Sequence, residues 1–216
     1  MIAEKGGGRD IKVAVTEWNT TAGDPGLPRA MLWDLNNALA CSRYHNLMHR
    51  EADLVAIARH AEQVGFRRCW VYDEGLASRD VYIVLATIAQ ATTLMEIGTG
   101  ITNPYTRHPA TTAATTASLD ELSSGRAFLG IGAGGSLTLD PLGLERKAPV
   151  ETVAAVIDAC RRLMDGETVT MTGPGFELCD AHLGFAARRG IEIWLAGRGP
   201  RMLALGGAAA DGVMLD

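Results

Sequence analysis

Residues Gly98 to Gly135, which read GTGITNPYTRHPATTAATTASLDELSSGRAFLGIGAGG, decide the fold. Their start, together with the three residues before it, predicts a strand over 95–102 that contains two glycines. A helix is predicted over 110–122, and Gly125 suits the left-handed residue that follows a helix end. A second strand is predicted over 126–131. Strand, helix and strand in this order indicate two parallel strands joined by a crossover helix.

The same alternation of short β-branched runs and longer helical stretches continues on both sides of this unit. Further strands are predicted over 68–72, 191–195 and 212–215, and further helices over 81–91, 151–164 and 201–210. Residues 166–184, with Gly-Pro-Gly at 173–175, interrupt the alternation and indicate a hairpin or an excursion from the sheet. Alternating strands and helices predict a parallel sheet covered by helices, either a barrel or an open doubly wound sheet.

The first fifty residues follow a different pattern. Residues 11–16 predict a strand, which is followed by a turn rich in Gly, Pro and Asp. Residues 29–64 contain no Gly or Pro and no convincing strand. Two helices joined back to back, with a break near His49 and Arg50, are therefore predicted here, although a (β/α)8 pattern requires a strand between them.

Length and composition exclude several classes of protein. With 216 residues, of which 47% are hydrophobic, the chain can bury one sizeable core. The net charge of -5 and the scattered basic residues argue against nucleic acid as a partner. No run approaches the roughly 20 apolar residues of a membrane span, and the N-terminus has no signal-peptide pattern. A cytoplasmic protein without a membrane partner is therefore expected.

Cysteine and histidine residues show no pattern of a metal or redox site. Cys41, Cys69, Cys160 and Cys179 are widely spread without a C-x-x-C pair, which predicts reduced and mostly buried thiols. The five histidines have no ligand spacing, so no metal site is expected.

Three glycine-containing segments lie at the ends of predicted strands, namely Gly98–Tyr105, Gly130–Gly135 and Ala196–Pro200. Glycines inside a strand mark a bulge or a close approach of the backbone, and composition alone leaves open whether such a bulge touches a ligand. In the third segment a proline follows two glycines at a predicted helix start, where backbone N–H groups can bind an anion. An ordinary turn from strand to helix is the alternative there.

The second segment formally matches the dinucleotide-binding pattern G-x-G-x-x-G. That pattern binds phosphate where it opens a helix, and residues 136–141 do not start a long helix. A glycine-rich loop at the carboxyl end of a barrel strand is the interpretation that remains. All three segments then lie on one face of a parallel barrel, the face that carries the active site in such folds.

The same residues carry a family resemblance. Segment 98–135 and the Asp-Pro-Leu-Gly at 140–143 resemble the coenzyme F420-dependent methylenetetrahydromethanopterin reductases and their luciferase-like relatives. LDELSSGR at 119–126 is similar to the helix-to-strand signature of that family, and IWLAGRGP at 193–200 to its phosphate-binding turn. The resemblance covers residues 53–216 and implies an α/β fold, an incomplete (β/α)8 TIM-barrel-like parallel barrel with about six of the eight strands of a closed barrel.

The resemblance also implies a set of coenzyme-binding residues. The Gly100–Ile101 peptide bond would be cis, and its bulge would lie against the deazaflavin ring. Asp73 matches an Asp at the end of the family's second strand, whereas Glu74 stands where the family often has His. The residues implied at the coenzyme are Asp73, Gly98, Gly100, Ile101, Thr102, Asn103, Gly130, Gly132, Gly134, Gly197 and Gly199. The cofactor implied is coenzyme F420, with FMN as the alternative.

Residues 11–50 resemble a different family, the retaining α-L-arabinofuranosidases, with Glu17 at the position of their nucleophile. A retaining glycosidase needs a second carboxylic acid about 5 Å away. That family supplies it from an Asn-Glu pair, and this chain contains no Asn-Glu dipeptide. We therefore expect a fusion of an arabinofuranosidase-like strand–helix segment, residues 1–52, with a luciferase-like barrel portion, residues 53–216. The strand of the first segment would take the place of the first barrel strand.

The leading functional hypothesis is an oxidoreductase that transfers hydride between coenzyme F420 and a small organic substrate. Glu17 is the candidate catalytic residue, because at the end of a first strand it would face the active-site mouth and could transfer a proton. A strand paired out of register, which would turn Glu17 away, is the alternative at this position. For the whole chain the alternatives are a fragment of an α-L-arabinofuranosidase and a non-catalytic fragment. Open barrel edges also predict a homo-oligomer.

We expect no arabinofuranosidase activity, because the chain has no Asn-Glu pair to supply the acid partner of Glu17. The measurement is the release of nitrophenol from a nitrophenyl arabinofuranoside by the chain and by its Glu17→Ala variant. Turnover that disappears in the variant would show that a second carboxylic acid is in place after all.

Overall fold

The computed structural model describes residues 12–15, 39–40 and 51–215, with side chains from residue 54 onward. The strands are β1 Lys12–Val15, β2 Leu39–Ala40, β3 Arg68–Val71, β4 Glu96–Thr99, β5 Ala127–Ile131, β6 Val169–Gly173, β7 Phe176–Ala181, β8 Ile193–Ala196 and β9 Gly212–Leu215. The helices are α1 Glu51–Gln63, α2 Val81–Ala91, α3 Pro109–Leu122, α4 Ser136–Leu139, α5 Pro149–Met164 and α6 Pro200–Ala209. None of these described helices is long and apolar enough to cross a membrane.

Seven of the described strands form one sheet, in the order β1-β9-β8-β5-β4-β3-β2. Every neighbouring pair in this sheet is parallel. Helices α2, α3 and α6 each connect two neighbouring strands, as expected for right-handed crossover units. The expected incomplete (β/α)8 TIM-barrel-like architecture is confirmed, and the strands predicted after residue 65 form within a few residues of their predicted bounds.

The two ends of the sheet differ from the expectation. The sequence predicts that the strand at 11–16 takes the place of the first barrel strand, and it predicts no strand in 29–64. Instead β1 pairs with β9, and Leu39–Ala40 forms β2 beside Cys69 and Trp70 of β3. The prediction of no strand in 29–64 was wrong because local propensity there favours helix, whereas the free edge of β3 supplies ladder hydrogen bonds that favour a strand. Since Leu39–Ala40 takes the position beside β3, the prediction that residues 11–16 take it was wrong as well.

The excursion predicted over 166–184 is an antiparallel hairpin of β6 and β7, and this prediction is confirmed. The hairpin follows α5 and packs against it and against α3. The ring of Phe176 on β7 contacts His108 edge to face, with the ring centroids 5.9 Å apart. Since His108 is the N-cap residue of α3, the hairpin supports the start of that helix from outside the sheet.

Apolar helix faces pack on the sheet to form the core. The residues of α5 that were predicted on one face are all buried, namely Val153, Val156, Ile157, Cys160 and Leu163. Burial raises the pKa of the Cys160 thiol to about 12, as expected for an unreactive core cysteine. Cys69 is also buried and Cys179 is exposed, while Cys41 lies outside the described residues.

Arg126 joins three connections at the amino-terminal end of the sheet. Its guanidinium group donates hydrogen bonds of 2.7–2.8 Å to the carbonyl oxygens of Ala89, Met95 and Ser123. These carbonyls lie at the end of α2, before β4 and after α3. The Ser-Ser-Gly-Arg part of the sequence signature therefore has a structural role, because Gly125, with φ of 84°, turns the chain so that Arg126 can reach them.

Gly130 of β5 lies so close to β4 that a Cβ atom there would stand 2.0 Å from the carbonyl oxygen of Thr99. Because both groups belong to strand backbones, Gly130→Ala forces the strands apart, and we expect it to lower the free energy of unfolding by about 1–3 kcal/mol. Gly184→Ala is the control, since its Cβ would meet nothing within 4 Å among the described residues. Urea unfolding measures both variants, and a Gly130→Ala chain as stable as the parent would contradict the close contact.

Candidate functional site

A cavity of about 570 Å³ lies at the carboxyl ends of the parallel strands. Most of its wall comes from residues that follow β3, β4, β5 and β8. Its volume lies within the range of small-molecule and cofactor sites, about 300–1,000 Å³. The carboxyl ends of the strands are also the face on which parallel barrels carry their active sites. This cavity is therefore the candidate functional site.

Seven of the eleven residues that the resemblance implied at a coenzyme line this cavity. They are Asp73, Gly100, Ile101, Asn103, Gly134, Gly197 and Gly199. Among the described residues, Gly98, Thr102, Gly130 and Gly132 do not line it. Glu17, the predicted catalytic residue, lies outside the described residues. The three glycine-rich segments thus converge on one cavity as expected, and their binding of a coenzyme stays a prediction.

The glycines that do not line the cavity lie against neighbouring parts of the chain. A Cβ at Gly98 would stand 2.3 Å from the carbonyl oxygen of Phe128. A Cβ at Gly132 would stand 2.2 Å from Cδ1 of Ile101. Both positions therefore lack a side chain because another part of the chain occupies that space, and they shape the cavity only indirectly.

After β4 the chain forms a bulge, in which the Gly100–Ile101 peptide bond is cis as the resemblance implied. Gly98 pairs with Phe128 and Thr102 pairs with Ile131, so four steps along this strand oppose three along β5. One extra residue on one strand defines a β-bulge. The register therefore confirms the predicted bulge. Because Gly100 and Ile101 line the cavity, the bulge forms part of its wall.

The hydroxyl group of Thr99 replaces part of the backbone ladder at the bulge. Thr99 Oγ1 donates to the carbonyl oxygen of Gly130 at 2.6 Å and accepts from the Gly130 N–H at 3.0 Å. Beyond the bulge, the Thr102 N–H donates to the same carbonyl and the Thr102 carbonyl accepts from the Gly132 N–H, both at 3.0 Å. Buried backbone groups need partners, so these bonds allow the bulge to form without unsatisfied groups on Gly130.

Asp73, two residues after β3, is buried, and its carboxylate is held by two side chains. Oδ2 accepts a hydrogen bond from Thr102 Oγ1 at 2.6 Å and another from Arg107 Nε at 2.7 Å. The guanidinium group of Arg107 also lies 5.1 Å from the centroid of the Tyr82 ring. The hydrogen bond with Asp73 is the largest of the causes that raise the pKa of Arg107 above its ordinary range. The cation beside Asp73 is therefore permanent.

Asp80 connects this network to the start of α2. It is the N-cap residue, and its Oδ1 accepts from the N–H groups of Tyr82 and Ile83 at 2.9 and 3.2 Å. Its Oδ2 accepts from Arg107 Nη2 at 2.8 Å. Partial burial disfavours the charged carboxylate, but the hydrogen bonds from Arg107, Ile83 and Tyr82 outweigh it and hold the pKa of Asp80 below its ordinary value of 3.8.

Asn103 and Arg146 hold the second glycine loop. Gly134 has a φ of 70°, and a Cβ there would stand 3.2 Å from Cβ of Asn103. Asn103 Oδ1 accepts from the N–H groups of Tyr105 and Thr106, as in an Asx turn, which leaves its NH₂ group as the donor. Arg146 Nη1 donates to the carbonyl oxygen of Gly134 at 2.9 Å. The cavity wall here offers hydrogen-bond donors and positive charge.

The third glycine loop opens helix α6. Gly199 is the N-cap residue, and no side chain caps the first turn, while Pro200 occupies the first helical position. A Cβ at Gly199 would meet nothing within 4 Å among the described residues, so the backbone here borders open space. The neighbouring Arg198 also lines the cavity. A helix N-terminus favours anions, so this part of the cavity can bind a phosphate or a carboxylate.

Sequence reasoning missed part of the cavity wall. Trp70, Arg146 and Met214 line the cavity and were not predicted to do so. Trp70 and Met214 share a buried cluster with Phe128 and Trp194. Strands of a parallel sheet are apolar on both faces, so their sequence gives no signal of which residues face the interior. Arg146 lies in an irregular loop and reaches the cavity only through the packing of that loop.

A model of the luciferase-like monooxygenase family matches residues 38–216 of the chain. The match begins inside the segment 11–50, for which the sequence shows a likeness to arabinofuranosidases. That likeness and the fusion that it implies stay predictions.

Individual proteins are similar to the chain as well. It is 41% identical over 159 residues to a 5,10-methylenetetrahydromethanopterin reductase of Methanolobus tindarius. The aligned region covers 74% of this chain and 48% of the relative. The coenzyme F420 dependent tetrahydromethanopterin reductase of Methanopyrus kandleri superimposes with a TM-score of 0.73 at 28% identity, over 83% of this chain and 54% of that one. An F420-dependent secondary alcohol dehydrogenase, solved with an F420-acetone adduct, gives a TM-score of 0.75 at 26% identity, over 83% and 57%. The chain thus spans about half the length of these relatives.

Asp80→Asn tests the ion pair between Asp80 and Arg107, because asparagine also caps a helix N-terminus. At neutral pH we expect the variant to be less stable than the parent by about 0.2–1 kcal/mol, as for a partly exposed pair. The pKa of Asp80 is lowered in the folded chain, so its contribution is present above the ordinary value of 3.8 and is lost as the pH falls through the folded pKa. Urea unfolding at neutral pH and below pH 3.8 should show a shrinking difference, and a constant difference would contradict the role of the ion pair.

Proposed function

Because the chain belongs to the luciferase-like monooxygenase family, we propose that it is an oxidoreductase that binds coenzyme F420 in the cavity and exchanges hydride with a small organic substrate. The relatives described above are, by name, reductases and a dehydrogenase, and two of these names include coenzyme F420. The arabinofuranosidase alternative is not favoured, because these relatives are all oxidoreductases. Self-association through the sheet edges and a cytoplasmic location stay predictions from the sequence.

The observation that carries the proposal is the bulge at Gly100 and Ile101, which lines the cavity together with the two other glycine loops. A Cβ at Gly100 would point at Trp70, 2.6 Å from its Cβ, so the wall consists here of peptide backbone and the Ile101 side chain. Such a wall fits the face of a planar ring. Gly199 and the start of α6 fit an anion in the same cavity. A ring joined to a phosphate-bearing chain, as in coenzyme F420, combines these two requirements.

The residues of the chain would bind and orient the coenzyme rather than perform the chemistry. When bound, the deazaflavin ring supplies the two-electron exchange as hydride, which side chains alone do not perform. Thr99 and Thr102 would keep the bulge in place through their hydrogen bonds to Gly130 and Asp73. Asn103 would contribute its NH₂ group as a hydrogen-bond donor to the wall. The carboxylate of Asp73 would accept a hydrogen bond from the coenzyme at the same wall.

We expect coenzyme F420 to bind in preference to FMN. Titration of the chain with each coenzyme in turn, followed by fluorescence, measures the two dissociation constants. Micromolar or tighter binding of FMN with no response to coenzyme F420 would contradict the preference.

We expect the phosphate of the coenzyme to contact backbone N–H groups at the start of α6. Gly199→Val places a branched side chain in the open space there and should weaken binding about tenfold, or roughly 1.4 kcal/mol. Gly184→Val is the matched control, since its Cβ also meets nothing within 4 Å of the described residues and it does not line the cavity. If Gly199→Val is folded and binds the coenzyme as the parent does, the phosphate site lies elsewhere.

A further inference from the structure

Arg107 lies in the loop between β4 and α3, is not among the described residues that line the cavity, and is hydrogen-bonded to the lining residue Asp73. Its Nε donates to Asp73 Oδ2 at 2.7 Å, and its Nη2 lies 3.3 Å from Oδ1. The guanidinium group is also held by Tyr82 of α2 and by Asp80, the N-cap residue of that helix. Arg107 is therefore held rigidly beside the cavity without being part of its lining.

The two carboxylate oxygens of Asp73 are used unequally. Oδ2 accepts two short hydrogen bonds, from Thr102 and Arg107. Within the described part of the chain, Oδ1 accepts only the long one from Arg107. A carboxylate has about four acceptor positions on its two oxygens, so Oδ1 retains capacity for a further donor. Asp73 lines the cavity although only 7% of the residue is exposed.

We propose that Arg107 is a positioning residue, which fixes the Asp73 carboxylate so that Oδ1 accepts a hydrogen bond from an N–H or O–H group of the bound ligand. The inference rests on the proposed function and deepens it, because it names the ligand chemistry selected at this wall. A ligand that presents an acceptor here meets a buried carboxylate oxygen and is rejected. The same ion pair holds the Thr102 hydroxyl as a donor to Oδ2, and so fixes the end of the bulge.

A second arginine–aspartate pair, which lies away from the cavity, serves as a control for the effect of losing a buried ion pair. Arg188 donates from Nε and Nη2 to the two oxygens of Asp120, each at 2.9 Å. Asp120 is as buried as Asp73, with 3% of the residue exposed. Neither Arg188 nor Asp120 is among the described residues that line the cavity. Loss of the Arg188 pair should therefore lower stability without changing the ligand site.

The experiment compares Arg107→Gln with the control Arg188→Gln in the full chain. We expect Arg107→Gln to raise the dissociation constant of coenzyme F420 at least about tenfold, the effect of losing one hydrogen bond to a charged group. Arg188→Gln should change it by less than about twofold, since its site is independent. Without ligand, backbone hydrogen exchange at residues 99–103 should become faster in Arg107→Gln and stay unchanged in Arg188→Gln.

Two further variants keep the test decisive if Arg107→Gln does not fold. Asp73→Asn removes the buried charge that Arg107 compensates, so the double variant Asp73→Asn/Arg107→Gln replaces the ion pair with neutral groups of similar shape. In the Asp73→Asn background, Arg107→Gln should change the dissociation constant by less than about twofold, because both side chains act through one carboxylate. Arg107→Lys keeps the charge but not the two-nitrogen geometry, so its affinity should lie between those of the parent and Arg107→Gln.

Equal weakening by Arg107→Gln and Arg188→Gln would reduce Arg107 to a structural ion pair and overturn the inference. Unchanged affinity in a folded Arg107→Gln chain would do the same, as would additive effects in the double variant. If the parent binds neither coenzyme F420 nor FMN, the proposed function itself fails. The exchange rates then decide the positioning role alone: faster exchange at residues 99–103 only in Arg107→Gln supports it, and unchanged exchange overturns it.

Discussion

The close approach of β4 and β5 is the constraint on which the site depends. Glycine stands on both strands where they face each other: a Cβ at Gly98 would lie 2.3 Å from the Phe128 carbonyl oxygen, and one at Gly130 2.0 Å from that of Thr99. Because the strands are this close, the Thr99 hydroxyl reaches both the N–H and the carbonyl of Gly130. The extra residue after β4 is then accommodated without unsatisfied backbone groups, and the bulge that results forms part of the cavity wall.

The two ends of the sheet interior differ in their chemistry. At the amino-terminal end, the guanidinium group of Arg68 lies 4.8 Å from the Phe128 ring centroid and 4.6 Å from that of Trp194, and it pairs with Glu96 and Glu192. A cation among aromatic rings and carboxylates is fully compensated, which makes this end a packed structural element. At the carboxyl end, the cavity offers backbone, an amide donor and a carboxylate with remaining acceptor capacity. The carboxyl end, where polar groups still have capacity for a ligand, is therefore the end at which we propose the function.

Most elements after residue 65 were predictable because each carries its own local signal. The helix over 151–164 has its apolar residues at helical spacing, and the strands are short β-branched runs between glycines. The strand at Leu39–Ala40 has no such signal, because it is two residues long and lies in a stretch that favours helix. The position of β1 beside β9 was not predictable either, since a strand's own sequence does not specify which edge it pairs with.

The sequence by itself determined the order of the elements and the presence of a glycine-rich loop after three of the strands. Parallel topology then requires those loops to meet at one end of the sheet. Only the tertiary structure decided that Gly100, Gly134 and Gly199 line the cavity while Gly98 and Gly130 face a neighbouring strand. It also brought Arg107 to Asp73, 34 residues away. The physical reason is that a residue's type limits its own backbone conformations, whereas the space and the charge around it depend on what other parts of the chain place there.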